Sequence, residues 1–99
     1  MSVQMAQAKI KAERAADVQA ATEKMFAAIN AVQPDGIRYA SLLLDDGQTF
    51  VAVVQVDDGV ENPIQGLPEF RELQEVVEGS RATPTSVQSS RVVGSYRLF

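Results

Sequence analysis

The chain of 99 residues contains no cysteine, no histidine and no tryptophan. Without Cys and His, thiolate and imidazole metal sites, haem ligation by either side chain, disulfide frameworks, redox dithiols and Cys or His catalysis are all excluded. Basic residues are also short, with 9 Lys+Arg against 13 Asp+Glu, a formal net charge of -4 and a pI near 4.6. Nucleic acid and anionic membrane both require concentrated positive charge, so neither is an expected partner. No apolar run approaches the ~20 residues of a membrane span, and the polar, small-residue stretch from Met1 to Glu13 lacks a signal-peptide core. The expectation is a cytoplasmic protein, with which the absence of Cys is compatible. With 45% hydrophobic residues, 1–99 fits one domain and not two. Such a domain buries only somewhat over ~60% of the surface its unfolded chain exposes, so its core is thin.

The residues present divide into six elements. Val3 to Ala12 alternates, with Val3, Met5, Gln7 and Lys9 on one side, and reads as a strand despite its Ala and Lys content. From Ala16 to Val32 the period becomes helical: Val18, Ala21, Met25, Ile29 and Val32 recur three and four apart, and Phe26 widens the stripe. Pro34-Asp35-Gly36 stops this helix. Ile37–Leu44 and Gln48–Val56 form a hairpin around Asp45-Asp46-Gly47, and Asp57-Asp58-Gly59 closes it. Asn62-Pro63 reads as an N-cap and first helical position, with the helix proper restarting at Pro68. Phe70, Leu73 and Val77 give this helix its apolar stripe, Glu69, Glu72, Glu75 and Glu78 its wet face, and Gly79 its stop, with Arg71 and Glu75 spaced to pair. Val87 to Phe99 is taken as a last strand, kinked at Gly94.

The order βαββαβ predicts an α+β, ferredoxin-like sandwich: an antiparallel four-stranded sheet with two helices on one face and strands ordered 4-1-3-2. Leu42, Leu43 and Leu44 are consecutive and Phe50 to Val54 is unbroken, so both faces of these strands avoid water. Two helices cover one face only. The second is expected to be covered by another copy, making a homodimer whose two sheets close an eight-stranded barrel.

The runs Asp35-Gly36-Ile37-Arg38-Tyr39-Ala40 and Leu43-Leu44-Asp45-Asp46-Gly47-Gln48-Thr49-Phe50-Val51 are followed by Glu61-Asn62-Pro63-Ile64, by Leu67-Pro68 with Phe70, and by Val92-Val93-Gly94-Ser95-Tyr96-Arg97. Over nearly the whole chain this set resembles the dimeric α+β barrel proteins grouped with the antibiotic biosynthesis monooxygenases, in particular small actinobacterial members with no assigned activity. The resemblance implies a barrel-sharing homodimer with a pocket between helices and sheet in each subunit. Enzymes of the group include cofactor-independent oxygenases of polycyclic aromatic substrates, associated with a Trp, an Asn and an Arg, and haem degraders with a helix His, an Asn and a Trp. This chain has no His or Trp, and its only Asn residues are Asn30 and Asn62. The resemblance therefore carries over fold and assembly, and no catalytic residue.

Among candidate site residues, Arg38, Tyr39, Arg91 and Tyr96 lie on strands, where they either meet solvent or enter a pocket. In a pocket, a Tyr hydroxyl can hydrogen-bond an enolate or phenol and an Arg can hold its charge, so Arg38, Tyr39 and Tyr96 are the catalytic candidates. Tyr96 shares strand parity with Val92, Gly94 and Leu98, which instead predicts a ring in the core. Asn62 is either a helix cap or an amide offered to a ligand at a helix N-terminus. Met25 and Phe26 either fill the core or line a soft cavity for an aromatic molecule. Lys9, Lys11 and Arg91 are expected to approach one another on adjacent strands, their charge met by Asp57, Asp58 or Glu61 across a dimer. The Asp45-Asp46 and Asp57-Asp58 pairs each precede Gly in a turn and do not have the spacing of a metal loop, and no phosphate-binding glycine motif occurs.

Neither metal nor cofactor is expected. The favoured reading is a homodimer that binds a small apolar or aromatic molecule between helices and sheet. A cofactor-independent monooxygenase acting on an aromatic, polyketide-like substrate is the alternative, and a purely structural self-association module is the third. The test between them is whether Met25, Phe26, Ile29, Leu73 and Val77 fill the space between helices and sheet or leave it open.

Overall fold

The computed structural model describes residues 2–98, with side chains from Val3 onward. The elements are β1 (Ser2–Lys9), α1 (Ala15–Val32), β2 (Ile37–Leu43), β3 (Thr49–Val56), α2 (Pro68–Ser80) and β4 (Ser86–Arg91), with 3₁₀ turns at Ala12–Arg14 and Pro63–Gly66. All strand pairs are antiparallel, in the order β2-β3-β1-β4. This is the sandwich and strand order expected from the sequence.

Register assigns the two faces. Ala8 pairs Phe50, which pairs Leu43; Ala6 lies between Ala52 and Val87; Gln4 pairs Val54, which pairs Tyr39. Since side chains alternate along a strand, these residues share one face. It is the helix-covered face, because Ala8, Ile10, Tyr39 and Phe50 pack with Val18, Met25, Leu73 and Val77 in one core cluster. The opposite face carries Val3, Met5 and Gln7 of β1, Val51, Val53 and Gln55 of β3, and Arg38, Ala40 and Leu42 of β2. Leu42 is 52% exposed on this face, and Met5, two strands away, is exposed on it as well.

Local chemistry explains most of the boundaries. Helix α1 ends at Val32, two residues before Pro34: the capping Gln33 takes the left-handed conformation at φ 50°, and its N–H donates to the Ile29 carbonyl at 2.7 Å. The β2–β3 turn is fixed by Asp46, whose carboxylate accepts from the Gln48 and Thr49 amides at 2.9 Å each and from the Thr49 hydroxyl at 2.6 Å. Gly47 supplies the positive φ of 71° that the turn needs. The end of α2 is tied to β1 by Lys11 N–H to Ser80 O (2.9 Å) and Ala82 N–H to Lys9 O (2.7 Å).

Three expectations need correction. The last strand stops at Arg91, which pairs with Ser2, rather than running on towards Phe99, which lies outside the described residues. The following segment is left exposed, with Val93 at 94% and Tyr96 at 82%, so the Tyr96 ring adds nothing to the core. The first strand ends at Lys9 rather than Ala12: Ile10 keeps only an isolated bridge to Arg81 before the chain turns into α1. Val32, counted in the apolar stripe of α1, is the last residue of the helix and is 60% exposed. Ion pairing on α2 also differs, since Glu72 reaches across to Lys24 of α1 at 2.8 Å while no Arg71–Glu75 pair forms among the described residues.

Candidate functional site

The space between helices and sheet is filled in part, since Met25, Phe26, Ile29, Leu73 and Val77 all pack in the core cluster, and open in part. Beneath α2 lies a cavity of about 390 Å³ whose floor is the sheet, through Ala6, Ala52, Val54 and Val87. One wall is α2, through Phe70, Leu73 and Val77, and the Asn62–Gln65 loop closes one end. A deeper extension of about 100 Å³ shares Ala6, Tyr39, Ala52, Leu73, Val77 and Thr85 with it and continues to Val18 and Phe50. The cause is residue size. The central strands present Ala6 and Ala52 to the helices here, with Ser41 beside them on β2, and side chains this short leave the floor low, whereas Ala8 is packed with Val18, Met25 and Leu73. The larger cavity falls within the range of small-molecule sites, roughly 300–1,000 Å³.

Tyr39 enters this space from β2 and lines both compartments. Its ring meets Phe26 of α1 edge-on, centroids 5.1 Å apart at 70°, which fixes its orientation. Burial raises the Tyr39 pKa, an effect partly offset by the Ser41 hydroxyl, so the phenol stays protonated across neutral pH. Asn62 lines the opposite end of the cavity. Its Oδ1 accepts from the Ile64 N–H at 3.0 Å and caps the 3₁₀ turn, and among the described residues Nδ2 has no hydrogen bond. Cap and cavity wall are thus one residue, and the sequence alternatives for Asn62 do not exclude each other.

The other candidates lie elsewhere. Arg38 is on the opposite face of the sheet, held by Gln55 Oε1 at 3.3 Å and Asp57 at 3.5 Å. Met25 is wholly buried in the core cluster, and Phe26 touches the cavity only through Tyr39 while facing a separate surface groove of about 480 Å³ between α1 and β2. Arg91 sits opposite Ser2, at the far end of β1 from Lys9, so the expected cluster of Lys9, Lys11 and Arg91 does not form. Asp57, expected to answer that cluster, is paired with Arg38 instead. Tyr96 stacks under the Arg97 guanidinium, 5.2 Å from the ring centroid, on the exposed segment after β4.

Sequence reasoning missed Gln4, Gln65, Gln74, Glu78 and Arg81, which complete the polar lining of the cavity. The signal was present as alanine at alternate positions of β1, matched by Ala52 on β3: small residues on the inward face of a central strand announce a void above it.

No protein-family model matches the chain, and no curated protein matches it in sequence. Solved structures do match it. A crystal structure of an antibiotic biosynthesis monooxygenase aligns over 95% of this chain and 100% of its own at 15% identity, with a TM-score of 0.73. Rv0793 from Mycobacterium tuberculosis aligns over 95% of this chain and 96% of its own, at 17% identity and a TM-score of 0.73. SnoaB, a cofactor-independent oxygenase from Streptomyces nogalater, aligns over 97% and 96% at 16% identity and a TM-score of 0.67. The chain therefore has the ferredoxin-like α+β fold of the antibiotic biosynthesis monooxygenase-like proteins. At these identities the likeness is one of fold. Among the described residues, no helix is long and apolar enough to cross a membrane.

Proposed function

We propose that residues 1–99 form a single-domain subunit of a homodimeric, antibiotic biosynthesis monooxygenase-like α+β barrel protein that binds a small apolar or aromatic molecule in the cavity beneath α2. The observation that carries this reading is the void itself: Ala6 and Ala52 leave about 390 Å³ open where larger residues would have closed the core. Its floor and inner wall are apolar, through Ala6, Ala52, Val54, Phe70, Leu73 and Val77, with polar side chains completing the lining, a combination that small-molecule sites use. Replacing Ala52 with Leu fills the floor from a strand position. The variant is expected to keep its fold by circular dichroism and to lose binding of a naphthalene-sized probe in equilibrium dialysis. Unchanged binding in a folded Ala52→Leu protein would place the ligand elsewhere.

Dimerisation is supported by the face of the sheet that the helices leave uncovered, where Met5, Ala40, Leu42 and Val53 form an apolar surface. The second reading, a cofactor-independent monooxygenase of aromatic substrates, is favoured by Tyr39, a protonated phenol placed in the cavity, where it can donate to an oxyanion as charge develops. SnoaB, which shares the fold, is a cofactor-independent oxygenase. Oxygen uptake with an anthrone or quinol panel, without added metal or flavin, is expected to exceed the uncatalysed rate and to drop in Tyr39→Phe. Uptake at the uncatalysed rate with every substrate would dismiss the oxygenase while leaving the binding reading in place.

A further inference from the structure

The pair Asp-Gly occurs at Asp35-Gly36, Asp46-Gly47 and Asp58-Gly59, each time in a turn. It has a chemistry of its own, because a glycine offers no Cβ to keep its amide nitrogen away from the carboxyl group before it. The nitrogen attacks Cγ: a C–N bond forms, the Cγ–OH bond breaks, and the hydroxyl leaves with the amide hydrogen as water, closing a succinimide ring. Water then opens the ring. Attack at Cγ restores aspartate, whereas attack at the main-chain carbonyl gives isoaspartate, whose backbone runs through Cβ and is one methylene longer. The reaction needs a protonated carboxyl group, an available amide and a peptide free to swing onto the side chain.

The fold treats the three pairs differently. At Asp46-Gly47 both reacting groups are engaged: the carboxylate accepts from the Gln48 and Thr49 amides and the Thr49 hydroxyl, and the Gly47 N–H closes the turn on the Leu44 carbonyl at 2.9 Å. Led by the Thr49 hydroxyl, these bonds lower the Asp46 pKa to about 2, so its carboxylate stays ionised, a poor target for attack, even in mild acid. At Asp35-Gly36 the glycine is pinned. Its carbonyl accepts from the Asp57 N–H at 2.8 Å, and Val60 packs so close that a Cβ on Gly36 would lie 3.1 Å from it. At Asp58-Gly59 both residues are exposed, and nothing lies within 4 Å of where a Cβ on Gly59 would stand. Among the described residues neither the Asp58 carboxylate nor the Gly59 amide has a hydrogen bond. The bond of this turn, Val60 N–H to the Asp57 carbonyl at 3.1 Å, spans the Asp58-Gly59 peptide without using it.

We propose that Asp58 is the site at which this protein forms isoaspartate, and that the fold protects Asp35 and Asp46 from the same change. The added methylene enters the main chain between Asp57, which is paired with Arg38, and Val60, which covers Gly36. The modification is independent of any ligand in the cavity beneath α2.

The test incubates the protein at mildly acidic pH and body temperature, once folded and once held unfolded in guanidinium chloride. Isoaspartate is counted with a methyltransferase that moves a labelled methyl group from S-adenosylmethionine to its free α-carboxylate, and electron-transfer fragmentation assigns the site. In the unfolded chain the three pairs should react at comparable rates. In the folded protein Asp58 should keep most of that rate, and Asp46 should fall behind it by at least about tenfold, the scale of one hydrogen bond to a charged group that has to open first. Asp35 should lie between them. Asp58→Glu, whose longer side chain closes a ring far less readily, should remove most of the label and leave the circular dichroism unchanged. The proposal is overturned if the folded protein labels all three sites alike, labels Asp35 or Asp46 first, or takes no label while the unfolded chain does. Label that survives undiminished in Asp58→Glu overturns it as well.

Discussion

At the residue scale, Asp46 shows how a turn reading and a titration connect. Three donors converge on its carboxylate: the Thr49 hydroxyl and the amides of Gln48 and Thr49. Led by the Thr49 hydroxyl, they lower its pKa from the ordinary 3.8 to about 2. A carboxylate with a depressed pKa in the folded state contributes stability that is full above its unfolded value and is lost as pH falls through its folded value. Asp46→Ala is therefore expected to melt below the wild type at pH 7, and the gap should close between about pH 4 and pH 2. A gap that persisted unchanged at pH 2 would mean that the carboxylate's charge does not hold the turn. Met25 gives the second prediction at this scale. It is completely buried at the centre of the α1 stripe, so Met25→Ala should cost about 2–5 kcal/mol in a denaturant titration. Small domains have only about 5–15 kcal/mol in total, and this variant is expected to be close to unfolding at body temperature.

At the scale of elements, the hairpin and both helices were legible because their signals are local. Asp46 and Gly47 form the turn from within it, Pro68 begins α2, and the three- and four-residue spacing of Val18, Met25 and Ile29 turns one side of α1 inward. Segment ends set by pairing were not legible. Val92 and Val93 read as strand, yet the strand stops at Arg91, an end set by pairing across the sheet that no window of sequence contains. The candidate site divided in the same way. Tyr39 and Asn62 were found from residue type and position, whereas Arg81 and Glu78 lie on the cavity only because α2 crosses the sheet above Ala6 and Ala52. Alanine in β1 looked like a weakness of the strand and is instead what opens the site. Ala6→Leu is accordingly expected to exclude ligand as Ala52→Leu does, although the two positions lie on different strands, and dialysis of either variant checks it.

At the scale of the whole molecule, the proposed assembly and the proposed binding use opposite faces of one sheet. Leu42 belongs to the uncovered face, and in an isolated subunit its exposed side chain could become charged at little cost. In a dimer closed through that face the same change buries an unpaired carboxylate. Sedimentation at micromolar concentration is expected to give twice the 10.7 kDa of one chain, and Leu42→Glu should return the single-chain mass with its circular dichroism intact. A wild-type mass near that of one chain would refute the barrel-sharing dimer. Because the cavity beneath α2 faces the other way, Leu42→Glu is expected to separate the two proposed properties: probe binding in dialysis should survive in the monomeric variant.

The alanine floor also makes the melting temperature an instrument. A thin core with a hole in it leaves little reserve stability, and any molecule that binds only the folded state adds RT ln(1 + [L]/Kd), about 2.7 kcal/mol at a hundredfold excess over Kd. In a domain of about 100 residues each kcal/mol moves the transition by roughly 4–8 °C. A library of small apolar and aromatic molecules could thus be ranked by thermal shift alone, with the folded Ala52→Leu variant as the blank.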